Sequence, residues 1–279
     1  MSAIKYQNRV VAFVDILGFK NMVNDPEKLK DVYDSFLIIS GSRHSNWALE
    51  AAIADPAVDH FPNIPRGSAE LSLFSDNFLI SVPEDNSPAI LALLINVTVL
   101  QNTLLSSRGI LCRGTIHTGE LIHGESPHKG NIIFGPAVTE AYQMEQGVSS
   151  YPRVILSDRF LSVLRRHNVF ESYCNKHLIV RDSDGLYSLN YLILSFGIHC
   201  DTANSISELC FDGNPWSNDL IANQLTELNG KDWSDPRSYM NIKSKWMWLA
   251  DRFNRQLERL RLTNPKTVEL ADLKPIELP

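Results

Sequence analysis

Two aspartates carry the chemistry that this sequence makes legible. Asp15 ends the run Arg9-Val10-Val11-Ala12-Phe13-Val14, rich in β-branched and aromatic residues, and Asp76 sits in Phe74-Ser75-Asp76-Asn77, between two further runs of strand-like composition. If the first strand lies beside that hairpin, both carboxylates project from one edge of a sheet. Two ionised carboxylates about 4 Å apart repel by roughly 4 kcal/mol at the effective dielectric near a protein surface. A divalent cation removes the conflict, and hard oxygen donors suit Mg²⁺ or Mn²⁺ with positions left for phosphate oxygens. Directly after Asp15, Leu17-Gly18-Phe19-Lys20 places a glycine-containing turn ahead of a helix, where backbone N–H groups can receive polyphosphate. An aspartate at a strand end is also a common turn former or helix cap, so the pairing carries the reading rather than either residue alone.

The elements that must position this pair follow from hydrophobic period and punctuation. A buried strand over 9–14 precedes a helix for which Asp25 is the cap and Pro26 the first position, with Leu29, Val32, Tyr33, Phe36 and Leu37 at helical spacing. Residues 41–68, punctuated by Pro56, Pro62, Pro65 and Gly67, read as irregular, loops with at most one short helix. Glu70 to Phe74 and Asn77 to Val82 read as a hairpin with Ser75-Asp76 at its tip. Ser87-Pro88 opens a long helix to about Ser106, Ile110 to Thr118 is a strand, and Gly119, Gly124 and Gly130 mark turns. Asn131 to Phe134 forms a short strand, and Gly135-Pro136 leads into a helix carrying Val138, Ala141, Tyr142 and Glu145. A strand over 154–156, a helix capped by Ser157 and running to Arg166, and a hairpin of His177 to Val180 with Leu186 to Leu192 complete the domain. Strand, helix, strand, strand, helix, strand is the ferredoxin-like order, an α+β fold with a mostly antiparallel sheet and helices on one face. Residues 1–199 form this domain; 200–279 form a C-terminal extension with a helix from about Tyr239 to Leu262, whose stripe of Ile242, Trp246, Leu249, Phe253, Leu257 and Leu260 packs on the main domain or on a partner subunit.

Composition narrows the function classes. A hydrophobic fraction of 44% with 9% aromatics excludes wholesale disorder. The formal net charge of −6 argues against a general nucleic-acid binder. Cys112, Cys174, Cys200 and Cys210 lack the paired spacing of a zinc site and read as reduced core thiols. His117, His123 and His128 are irregularly spaced and suit structural or surface roles. The first residues lack the apolar core of a signal peptide, and the apolar stretch Ala89 to Leu105 is interrupted by Asn96, Thr98, Gln101 and Asn102, which a lipid-exposed span disfavours. The expectation is a cytoplasmic protein without membrane or nucleic-acid partners.

Over residues 9–165 the chain resembles the class III nucleotidyl cyclases. Phe13-Val14-Asp15-Ile16-Leu17-Gly18-Phe19 is similar to the family's first metal motif and Phe74-Ser75-Asp76-Asn77 to its second; Arg113-Gly114-Thr115-Ile116-His117-Thr118-Gly119-Glu120 is similar to its Gly-Ile strand, and Phe134 to Glu145 to the stretch that begins its substrate helix. The departures are as informative: the family's ribose-orienting Asn falls on Thr139, its transition-state Arg on Gln143, its purine-reading Lys on Ser72 and the corresponding Asp on Ile132. With the metal pair kept and the purine-reading residues replaced, the chain most resembles the bacterial pyrimidine cyclases of Pycsar anti-phage systems.

That resemblance implies synthesis of cyclic UMP or cyclic CMP, with UTP placed ahead of CTP, in a homodimer whose sites lie between subunits. It implies two Mn²⁺ or Mg²⁺ ions held by Asp15, Asp76 and the carbonyl of Ile16, with substrate contacts from Leu17, Gly18, Phe19, Lys20, Arg113, Thr139 and Tyr142. Because Gln143 carries no charge, Arg113 is the candidate for the phosphate or transition-state contact, its alternative being a solvent-facing strand arginine. Tyr142 either stacks on the base or packs the core. A catalytically silent nucleotide sensor or scaffold is the competing reading. A diguanylate cyclase lacks its Gly-Gly-Asp/Glu-Glu-Phe hairpin here, and a phosphodiesterase or nuclease lacks a further Asp/His cluster.

Overall fold

A computed structural model describes residues 5–44, 69–125, 131–175, 177–196, 216–230, 235–263 and 274–278. At its centre β1 (Gln7–Ile16) is buried from Arg9 to Ile16. It lies antiparallel between β3 (Asn77–Pro83) and β4 (Cys112–Glu125). β2 (Glu70–Phe74) forms the hairpin with β3. Beyond β4 come β6 (Val154–Leu156), β8 (Tyr187–Leu189) and β7 (Ile179–Arg181), in the order β2-β3-β1-β4-β6-β8-β7, while β5 (Asn131–Phe134) pairs β4 separately. Only β4 and β6 run parallel among the described pairings. The ferredoxin-like core is therefore present as the strand order required, in a mixed α+β fold.

Alternation along β1 sends its residues to two different layers. Val10, Ala12, Val14 and Ile16 enter the main core with Ile90, Leu93, Leu94, Val97 and Leu104 of α3 (Ser87–Arg108). Val11 and Phe13 enter a smaller cluster with Leu79, Leu121, Ala137 and Ala141 beneath α4 (Pro136–Val148). Helices thus cover both faces, which corrects the expectation of helices on one face; periodicity identifies an apolar helix stripe without saying which side of the sheet receives it. Among the described residues α3 is the one helix long and apolar enough to cross a membrane, and it is mostly buried within the protein.

Several local signals act one step from where the sequence places them. Asn86, not Ser87, caps α3, its side-chain oxygen accepting from the Ala89 N–H at 3.0 Å, and Gly109 closes the helix at φ 63°. Asp25 Oδ1 accepts from the Glu27 N–H within a turn, so α2 (Leu29–His44) starts later than Pro26, after a short α1 (Phe19–Val23). Ser157 caps α5 (Asp158–Arg166) as expected, accepting from the Phe160 N–H at 3.1 Å. Gly119 and Gly124 form no turns; they lie inside β4, where a Cβ at Gly119 would make ordinary contact with the Ala137 Cβ at 3.5 Å and one at Gly124 would meet nothing within 4 Å.

After α6 (Phe170–Asn175) and the second hairpin, a 3-10 turn at Tyr191–Phe196 leads toward the C-terminal helices. The proposed division at residue 200 lies outside the described residues. α7 (Trp216–Gly230) was not foreseen, and α8 spans Pro236–Thr263. The stripe of α8 is buried as expected: Trp246, Leu249, Phe253, Leu257 and Leu260 pack with Ile221 and Leu225 of α7 and with Leu105, Leu111, Tyr191 and Leu192 of the main domain. A polar clamp reinforces this seat. Asp182 accepts from Arg153 Nη1 at 2.7 Å, Arg252 Nη1 at 2.9 Å and Ser188 Oγ at 2.7 Å, and both guanidiniums lie over the Trp248 ring.

Candidate metal and nucleotide site

The end of β1 and the tip of the β2–β3 hairpin meet at one corner of the sheet. Asp15 stands opposite Asn77 on β3 and Arg113 on β4. One residue on, the Ile16 N–H donates to the Asp76 carbonyl at 2.9 Å, which fastens the hairpin tip to the strand end. Asp76 is held in turn by Asn77 Nδ2, donating to its Oδ1 at 2.9 Å. The two aspartates are thereby neighbours, and the charge of Asp76 adds to the cost of ionising Asp15.

Arg113 is not a solvent-facing strand residue. Its Nε donates to Asp15 Oδ2 at 3.1 Å and lies 2.6 Å from Glu145 Oε1. The second contact is an ion pair without hydrogen-bond alignment, so that Glu145 Oε1 stays buried with no donor. Arg113 Nη1 also donates to the Ser149 carbonyl at 3.3 Å. Burial pushes the Asp15 carboxyl above the usual range, opposed by the hydrogen bond and charge of Arg113 and reinforced by Asp76. Burial likewise raises Glu145, against the pull of Arg113. Asp15 and Glu145 share the guanidinium of Arg113, with the charge of Asp76 acting on both carboxyls and that of Lys245 on Asp15.

The loop leaving the site is equally constrained. The Leu17 N–H donates to the Leu111 carbonyl at 2.8 Å, and Gly18 adopts φ 79°, a left-handed conformation that costs a residue with a Cβ roughly 1–2 kcal/mol. Beside it opens a cavity of about 510 Å³, with Leu17, Gly18, Asn21 and Leu111 on one side and Lys245 and Trp246 of α8 on the other.

The remaining site residues divide clearly. Phe19 packs edge-on against Phe36 of α2, with ring centroids 5.9 Å apart, so its side chain serves the α1–α2 contact. Lys20 is exposed, with its carbonyl accepting from Asn24 Nδ2. On α4, Thr139 and Gln143 are exposed, and Tyr142 is 49% exposed with one ring edge against Phe13 at 5.8 Å. Within one chain α4 brings Glu145 to the acids, not Thr139 or Tyr142. Glu145 was legible in part: it follows Ala137 and Ala141 at a spacing of four along the inward stripe, where a carboxylate must find a partner. Lys245 lies on an element whose place relative to β1 no local pattern announces.

The histidines serve the scaffold. His117 pairs with Glu140 at 2.9 Å, and His123 lies between Ser72 Oγ at 2.9 Å and Ser81 Oγ at 2.8 Å; His128 is outside the described residues. Cys112 is buried and Cys174 half-buried, both free thiols, while Cys200 and Cys210 lie outside the described residues. Among the described residues no group of three or more His, Cys, Asp or Glu converges to hold a metal.

A methyl group at Gly114 would lie 2.3 Å from the Phe13 carbonyl oxygen, so Gly114→Ala must part β4 from β1 beside Arg113. Chemical denaturation should show a loss of about 2 kcal/mol or more, and a parental midpoint would show that the strands yield freely. A second expected outcome concerns pH. A carboxyl whose folded-state pKa is raised holds its proton in the folded chain where the unfolded chain has released it, so its contribution to stability falls as pH rises through that window. Glu145→Gln removes this dependence, and its melting temperature relative to the parent should climb as pH increases from the ordinary carboxylate range to the raised value; a pH-independent difference would remove Glu145 from the account.

The sequence matches no family model, and no curated protein matches it. In fold the chain is similar to solved nucleotidyl cyclase domains. The guanylate cyclase domain of RhGC from Catenaria anguillulae, in complex with GTP, is 16% identical with a TM-score of 0.41, covering 67% of this chain and 98% of that chain. The adenylyl cyclase CyaB from P. aeruginosa is 13% identical with a TM-score of 0.41, covering 67% and 95%. A non-canonical dimeric guanylyl cyclase domain of the RhoGC fusion protein from the aquatic fungus Blastocladiella emersonii is 16% identical with a TM-score of 0.39, covering 67% and 98%.

Proposed function

We propose that this chain is a metal-dependent pyrimidine nucleotide cyclase, converting UTP, or CTP in second place, to the 3′,5′-cyclic monophosphate and pyrophosphate as a cytoplasmic second-messenger signal in anti-phage defence. The observation that carries the reading is the fastening of Asp76 to the end of β1 through the Ile16 N–H, which makes Asp76 an electrostatic neighbour of Asp15 next to the Gly18 loop and Arg113.

The donor set suits hard divalent cations. Asp15 is raised by burial and by its acidic neighbour, and added positive charge relieves that penalty. Asp15, Asp76 and the Ile16 carbonyl would hold two Mn²⁺ or Mg²⁺ ions. Such ions, when bound, acidify the ribose 3′-hydroxyl and neutralise charge on the phosphates. The chain's own residues orient the reactants. Leu17 to Lys20 track the triphosphate, and Arg113, already steadied by Glu145 and the Ser149 carbonyl, offers its guanidinium to phosphate oxygens as charge develops.

The exposed Thr139 and Tyr142 suit work on the ribose and base of a second copy's substrate, in a homodimer whose sites lie between subunits. Exposed Phe74, Phe134, Ile132 and Val148 offer apolar surface for that contact. Pyrimidine preference is supported by Ser72 and Ile132. Ser72 is 4% exposed and engaged with His123, and Ile132 has no polar group, so neither offers a purine edge a partner.

Incubation of the purified chain with each of the four ribonucleoside triphosphates and Mn²⁺ or Mg²⁺, with products identified by mass, tests the proposal. Cyclic UMP, or cyclic CMP, is the expected product. Cyclic AMP or cyclic GMP alone would overturn the pyrimidine reading. Gln143, which cannot supply the arginine charge, favours a silent nucleotide-binding scaffold as the second reading; that protein would bind a triphosphate without releasing pyrophosphate.

A further inference from the structure

We propose that Lys245, carried by α8, is a phosphate-contacting cation of the same site, so that the C-terminal helices form one wall of an oligophosphate-binding cavity. The inference deepens the nucleotide-binding reading and rests on it for the identity of the natural ligand, but not for the class of ligand.

The placement comes from packing. Leu17, the second residue after Asp15, packs against the cluster that contains Trp246, and Trp246 is the immediate neighbour of Lys245. The Leu17 N–H bond to Leu111, itself a member of that cluster, fixes the loop on the same support. Lys245 therefore faces the cavity of about 510 Å³ that Leu17 and Gly18 line from the other side.

The chemistry comes from charge. The Lys245 side chain is half-buried, and among the described residues it makes no hydrogen bond and no ion pair within 4 Å. It lies within electrostatic range of Arg113 and of Asp15. Burial weakens its hold on a proton, Arg113 adds to that, and Asp15 opposes it. A desolvated ammonium without a partner is costly, and an anion entering the cavity supplies one. The two acids on the cavity wall are occupied locally: Asp25 accepts from the Glu27 N–H, and Glu227 accepts from Gln224 Nε2 at 3.4 Å. Lys28, the other lysine lining it, is exposed. A phosphate chain running from the acid pair past Gly18 would meet Lys245 on the far wall. This places positive charge in the same chain, where Gln143 supplies none.

Binding of inorganic tripolyphosphate to the full chain, measured by calorimetry in the presence of Mn²⁺, provides the test. Lys245→Met should weaken binding about tenfold or more, the size of one charge-assisted hydrogen bond, with an unchanged melting temperature. Lys245→Arg should stay within about threefold of the parent. Lys243→Met, removing a lysine of the same helix that lies over the Tyr239 ring, should bind as the parent does. Parental affinity in Lys245→Met, an equal loss in Lys243→Met, or no tripolyphosphate binding by the parent would each overturn the assignment. Lys245-dependent binding in a chain that cyclises none of the four triphosphates would uphold the assignment while overturning the cyclase reading.

Discussion

Asp15→Asn and Asp76→Asn are each expected to reduce cyclic nucleotide formation about a thousandfold or more while leaving the fold intact. The size follows from the proposed role: several kcal/mol of transition-state charge stabilisation depend on cations held by both side chains, and each 1.36 kcal/mol is a factor of ten. The sparing of the fold follows from electrostatics. Asp15 is 9% exposed and its carboxylate is disfavoured by burial, so a neutral isostere that can still accept from Arg113 relieves that penalty. Its melting temperature should equal or exceed the parental value. Mn²⁺ should stabilise the parent and neither variant, since a ligand raises stability only through the folded state that binds it. Turnover retained in either variant would remove that residue from the site.

The largest loss of stability is expected at a distance from this chemistry, at Asp182→Ala. Asp182 receives Arg153 and Arg252, whose side chains are 2% and 3% exposed, whereas Asp184, 44% exposed, pairs with Arg153 and not with Arg252. Removing Asp182 leaves Arg252 buried without its counter-charge, and deletion of one partner from a buried pair costs about 3–5 kcal/mol. For a chain of this size that corresponds to a fall in melting temperature of about 10 °C. Asp182→Asn, which keeps an acceptor for Ser188 and one guanidinium, should lose less. Because the clamp seats α8 on β7 and β8, Asp182→Ala should also weaken tripolyphosphate binding through Lys245. An unchanged melting temperature would show that the two arginines find other acceptors.

How much of this was legible depends on whether a feature is local. The strand of β1, the hairpin around Ser75-Asp76, the Ser157 cap and the apolar stripe of α8 are written in neighbouring residues, and all form as read. The adjacency of Asp15 and Asp76 followed from a strand order, and the Ile16–Asp76 bond is its structural counterpart. Glycine proved ambiguous: Gly119 and Gly124 suggest turns by residue type but sit in a continuous β4 with room for a Cβ, whereas Gly114 of the same strand is required by the close approach of the Phe13 carbonyl oxygen. The side of the sheet taken by α4, the partnership of Arg113 with Glu145 and the approach of Lys245 all depend on tertiary contacts between residues far apart in the chain. No periodicity encodes them.

The most direct measurement of the central claim is Mn²⁺ binding to the full chain, followed by loss of the free-ion signal in electron paramagnetic resonance. The parent should bind the ion, and Asp15→Asn and Asp76→Asn should each lose most of that binding while remaining folded. If both variants bind Mn²⁺ as the parent does, the two aspartates hold no cation, and the proposed ring closure has no basis at this corner of the sheet.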